Sequence, residues 1–89
     1  MVKISGYELS RKWFDYCFEN TSKINPNHTA LFFFIIEHNN RLGWKSEFGL
    51  PRQMAMDAIG IKNNRTFTKC FNELDEWGFI TVIQRSQNQ

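Results

Sequence analysis

Apolar residues recur at helical spacing along most of this chain and at strand spacing near its end. Leu9, Trp13 and Cys17 fall at i, i+4 and i+8, and Phe14 and Phe18 widen the stripe. Ser5 and Glu8 stand before them at capping-box spacing. Residues 20–25 are polar apart from Ile24 and read as a loop. Asn25-Pro26-Asn27 is a turn and helix-start signal. The helix it opens is ended by Gly43. Pro51 suits the first turn of a further helix, where its missing N–H costs nothing. Ile59-Gly60-Ile61 is an apolar corner with glycine where a helix ends. Asn63 is then placed to cap another helix, in which Phe67, Cys70, Phe71, Leu74 and Trp77 form one stripe. Gly78 stops it. Phe79-Ile80-Thr81-Val82-Ile83 is β-branched and strand-like. The pattern predicts helices near 8–19, 27–42, 51–58 and 63–77, with a strand near 79–85. Residues 44–50 are short and irregular, and a brief strand over 45–49 is expected to pair with the C-terminal one.

The order of these elements carries meaning. A short helix, a tight turn and a second helix make a helix-turn-helix, and a strand directly after the second helix fits the winged variant. The face of the second helix opposite its apolar stripe is polar. Arg65, Thr68, Lys69 and Asn72 fall at i, i+3, i+4 and i+7, and so share a surface. Asn64 and Thr66 sit at the helix start beside the Asn63 cap. From Lys62 to Asn72 there are three cations and no carboxylate, and Glu73, Asp75 and Glu76 come only later. Arg and Asn can pair with purine edges, while Lys and Thr suit phosphate oxygens. The alternative is a solvated face on an ordinary helical domain.

Residues 31–36, Leu-Phe-Phe-Phe-Ile-Ile, are six consecutive large apolar side chains. They cover every side of a helix. Burial of a central helix under the others explains most of the run. A partner interface on one flank, using Leu31, Phe32, Phe34 and Ile35, is the second expectation.

Composition narrows the picture. Eighty-nine residues make one small domain, 1–89, and nine Phe, three Trp and two Tyr supply enough apolar surface for its core. The net charge is only +2, so nucleic-acid binding has to come from a local patch and depend strongly on salt. Cys17 and Cys70 lie in apolar stripes and read as buried thiols rather than a disulfide, which fits a reducing, cytoplasmic setting. No signal-peptide pattern is evident, and no apolar run is long enough to span a bilayer.

Catalytic chemistry finds little support. His28 and His38 form no metal pair with either cysteine, and the five glycines are isolated rather than gathered in a phosphate loop. Both histidines read as polar surface or helix-end residues. Trp13, Trp44 and Trp77 read as core or interface anchors. No enzyme activity, cofactor, metal or small-molecule substrate is expected.

Residues 54–61, MAMDAIGI, then 63–76, then Trp77-Gly78-Phe79-Ile80, resemble the winged-helix pattern. The upstream Trp/Phe helix, Asn-Pro turn, aromatic helix and Gly43-Trp44 corner are similar to the N-terminal domain of DnaD-like replication initiation proteins of bacteria, phages and mobile elements. The resemblance covers most of the chain. It implies a mainly α, α+β winged helix-turn-helix of three to four helices with a short C-terminal strand or wing. It also implies DNA as partner, self-association through the N-terminal helices, and a role in replication or transcription regulation. By position, Asn63, Asn64, Arg65, Thr68, Lys69 and Asn72 match the recognition-helix surface, and Gln84 and Arg85 match the start of the wing. The polar residues 86–89 fit a wing tip whose return strand would belong to a longer chain. The competing expectation is a protein–protein interaction module on the same scaffold, without DNA readout.

Overall fold

The computed structural model describes residues 2–4 and 9–83. Its elements run β1 (Val2–Ile4), α1 (Leu9–Glu19), α2 (Pro26–Arg41), α3 (Arg52–Ile59), α4 (Asn64–Glu76) and β2 (Ile80–Val82). The fold is mainly helical, with a small antiparallel sheet. All four helices fall where the apolar periodicity predicts them. The expected cap pair Ser5 and Glu8 lies outside the described residues.

The helix ends follow local chemistry. Asn25 caps α2: its Oδ1 accepts from the backbone N–H groups of Asn27 and His28 at 2.8 and 3.3 Å. His28 closes a capping box by accepting the Asn25 N–H on Nδ1 at 3.1 Å. Because a backbone N–H can only donate, Nδ1 carries no proton, and Nε2 is the nitrogen that holds it. That Nε2–H donates to Glu73 Oε1 of α4 at 2.8 Å, and the imidazole lies 4.7 Å from the Trp77 ring. His28 is therefore buried and structural. Of the two placements expected for it, the helix end holds and the polar surface does not.

Helix α2 is the centre of the molecule. It packs on α3 and α4, and its other side meets α1 through Trp13–Phe32 at 5.1 Å and Phe14–Phe33 at 6.1 Å. Leu31, Phe32 and Ile35 have no exposed surface at all. Those three are core, not interface, since three elements enclose them. Of the expected interface set only Phe34 retains partial exposure, stacked on His38 at 5.8 Å. Trp13 is also fully buried and donates its indole N–H to Thr29 Oγ1 at 3.0 Å. Trp44 is not a core residue. It is 54 % exposed, in a corner where Gly43 and Trp44 both take positive φ and the buried Asn39 side chain ties down the backbone of Lys45 at 2.9 and 3.1 Å.

The sheet also differs from the sequence reading. β2 pairs with β1, in the register Val2↔Val82, Lys3↔Thr81 and Ile4↔Ile80. Phe48 bridges Val2 instead of β2, through Val2 N–H to Phe48 O at 2.7 Å and Phe48 N–H to Val2 O at 3.1 Å. The N-terminal segment thus occupies the place expected for residues 45–49. Val2, Phe48 and Ile80 are all buried.

Candidate nucleic-acid interface

The turn between α3 and α4 sets the geometry of the polar face. Gly60 ends α3 at φ 80°, a left-handed conformation that side chains with a Cβ resist. The N–H groups of Gly60 and Ile61 both donate to Met56 O, at 2.9 and 3.0 Å. Ile61 turns into the core. Asn63 then caps α4, its Oδ1 accepting from Arg65 and Thr66 N–H at 2.7 and 3.3 Å. No carboxylate stands in the first turn of α4, so no side chain of that turn offsets the positive end of its dipole with a negative charge.

Along α4 the apolar stripe faces inward as predicted. Phe67, Cys70 and Leu74 are buried, while Phe71 and Trp77 are partly buried against the core. The opposite side presents Asn64, Arg65, Lys69 and Asn72 to solvent, with Thr68 half-buried between them. From residue 64 to residue 72 the face extends about 12 Å at 1.5 Å per residue, close to the width of a major groove. Two of the α4 carboxylates are held elsewhere. Glu73 is engaged by His28, and Asp75 accepts the Val82 N–H at 3.3 Å.

The structure adds one residue that the sequence reading missed. Arg52, the first residue of α3, reaches across the turn onto α4. Its guanidinium carbon lies 4.7 Å above the Phe67 ring centroid. Nη2 donates to Thr68 Oγ1 at 2.9 Å, and Nη1 makes a longer contact with Asn64 Oδ1 at 3.4 Å. Arg52 therefore joins the cationic face from a different helix. Pro51, immediately before it, gave a helix start, but no periodicity within α3 points to a partner on α4.

Of the other expected contacts, Asn63 commits its side-chain oxygen to the cap, and Thr66 is half-buried. Gln84 and Arg85 lie outside the described residues.

Other chemistry is sparse. Among the described residues, no three His, Cys, Asp or Glu side chains gather closely enough to hold a metal ion. No helix there is long and apolar enough to cross a membrane. Cys17 and Cys70 are free thiols. Burial pushes both up from the ordinary thiol range, with Glu73 adding to the rise at Cys70. A raised thiol holds little thiolate at neutral pH, so neither is poised as a nucleophile.

On α1, Phe14 and Phe18 are 43 % and 77 % exposed. With Cys17, Thr21, Ile24 and Pro26 they line an open apolar groove. Comparison with protein-family models, with curated proteins and with solved structures returned no match to this chain.

Proposed function

We propose that this chain binds duplex DNA noncovalently, as a winged helix-turn-helix in which α3, the Gly60 turn and α4 form the reading unit. The observation that carries the proposal is the convergence of Arg52 from α3 with Asn64, Arg65, Thr68 and Lys69 from α4 on one face. A solvated helix needs no such alignment. A groove-entering helix needs cations and amides along its N-terminal half, and a partner helix close to the phosphates. The resemblance to DnaD-like domains supports a role in replication or transcription regulation, as a cytoplasmic binding module without catalysis.

Low net charge limits what one copy can hold, and a second copy reading a second half-site offsets this. Leu31, Phe32 and Ile35 are buried, and the exposed rings of Phe14 and Phe18 on α1 offer an apolar surface for self-association. The interaction-module reading draws on the same groove, and predicts association without DNA affinity.

The test is a salt-titrated duplex-binding assay on the wild type and on an Arg65→Ala/Lys69→Ala double variant. The variant should fold normally, bind more weakly, and lose about one unit of salt slope per phosphate contact removed. Equal affinity and equal slope in the two proteins would reject this face as the DNA surface.

A further inference from the structure

The corner after α2 presents a tryptophan that the local backbone does not favour. Gly43 N–H donates to Asn40 O at 3.1 Å and Trp44 N–H to Asn39 O at 2.9 Å, the two bonds that close a helix on a left-handed glycine. The residue in the place of Trp44 commonly lays an apolar side chain back on the last turn. Trp44 instead keeps 54 % of its surface in water. Asn39 in that turn is buried and spends its amide on the backbone of Lys45, at 2.9 and 3.1 Å. Trp44 also takes φ 58°, a left-handed conformation that glycine or asparagine adopts far more readily. The corner is thus tightly bonded, yet holds a disfavoured residue with its ring toward solvent. Strained and well-supported residues of this kind gather at functional sites.

Two sets of contacts place this corner at one end of the molecule. His28, in the first turn of α2, meets Glu73 near the end of α4. His38, near the end of α2, donates from Nε2 to Gly49 O at 3.1 Å. Arg52 follows Gly49 by three residues, at most about 11 Å of chain. Its guanidinium touches Asn64 and Thr68 in the first half of α4. Helix α2 therefore leads away from the acidic end of α4, toward the end that carries its cations.

Trp44 stands at that end, outside the face of α4 itself. The major groove is about 12 Å wide, and its walls are sugar and phosphate. A duplex that takes α4 into this groove offers backbone, not base edges, to a contact beside α4. An indole suits that wall, because its ring packs on deoxyribose and its N–H donates to a phosphate oxygen. Arg41 is bonded to Glu37 at 2.7 Å, and Lys45 and Glu47 are both exposed. The corner offers a ring rather than an excess of charge.

We infer that Trp44 is a second DNA contact, which packs on the sugar–phosphate backbone beside the groove entered by α4. The inference rests on the DNA-binding reading above and extends its surface to the corner after α2.

Tryptophan emission provides the test. Trp13 is fully buried and Trp77 partly buried, so acrylamide quenching of the free chain reports chiefly on Trp44. Saturating duplex at low salt should cut that quenching markedly. Trp44→Asn suits the left-handed backbone and removes the ring. It should fold, by circular dichroism, and bind the duplex several-fold more weakly. Its salt slope should equal that of the wild type, because an uncharged indole displaces no counterion. Quenching of the wild type carries the test if the asparagine variant does not fold. Unchanged quenching with duplex bound, wild-type affinity in Trp44→Asn, or protection by a single strand but not by the duplex would overturn the inference while leaving DNA binding by α4 in place. Protection that rises with protein concentration in the absence of DNA would assign the ring to a second copy and overturn it too. No binding to any duplex at low salt would overturn both the inference and the reading it rests on.

Discussion

His28 Nε2 lies 2.8 Å from Glu73 Oε1 and joins the first turn of the central helix to the last turns of α4. The same imidazole accepts the Asn25 N–H on its other nitrogen, so one buried side chain closes a helix cap and an interhelical contact together. Glu73→Ala would leave a buried N–H without a partner and should cost about 1–3 kcal/mol. Glu73→Gln keeps an accepting oxygen and should cost much less. Urea unfolding of the two variants checks this, and equal losses would mean that the bond does not hold the helices.

Phe32 and Phe71 are both helix-stripe phenylalanines, yet their burial differs. Phe32 is fully buried, with ring contacts to Trp13 at 5.1 Å and Phe79 at 5.5 Å. Phe71 stacks on Phe67 at 6.0 Å and keeps part of its surface in water. Phe32→Ala should cost about 3–5 kcal/mol, the usual loss for a buried aromatic. Phe71→Ala should cost less than half of that, about 1–2 kcal/mol. The reverse order in denaturant midpoints would place the stripe of α4 on the wrong side.

Gly60 isolates a backbone effect. A Cβ added there meets nothing within 4 Å, so only the positive φ opposes a side chain. Gly60→Ala should cost about 1–2 kcal/mol, and Gly60→Asn less, because asparagine tolerates this conformation. Thermal melts should show that order, at about 4–8 °C per kcal/mol. No difference between alanine and wild type would mean that the turn takes another conformation.

Self-association should depend on α1. The wild type should sediment as a dimer at tens of micromolar, and Phe14→Ser/Phe18→Ser as a monomer. Phe18→Ser alone should change stability by no more than about 0.5 kcal/mol, since its ring is mostly in water. A wild-type monomer at that concentration, or a dimer that survives both changes, would remove the α1 contact from the account.

The helices were legible because their stripes, caps and terminal glycines agree with one another. Asn25, Gly60, Asn63 and Gly78 each occupy a position that their own backbone chemistry favours. β1 was not legible, because three residues are too few to show a period and their partners lie about 45 and 80 residues away. Burial of His28 was hidden for a different reason. Its spacing from Asn25 is that of a capping box, but with histidine in place of the usual Glu or Gln. The run at 31–36 signalled a helix apolar on every side. Only packing shows that α1, α3 and α4 cover Leu31, Phe32 and Ile35. On the candidate face, the α4 residues follow from helical spacing alone. Arg52 does not, because its contacts cross a turn between two helices.

The central claim is that the face shared by α3 and α4 is the DNA surface. The most direct measurement is amide chemical-shift mapping of the chain as a duplex is added at low salt. The largest shifts should cluster at Arg52 and from Lys62 to Asn72, and fade as salt is raised. Shifts confined to Phe14, Phe18 and their neighbours on α1, or none at all, would contradict it.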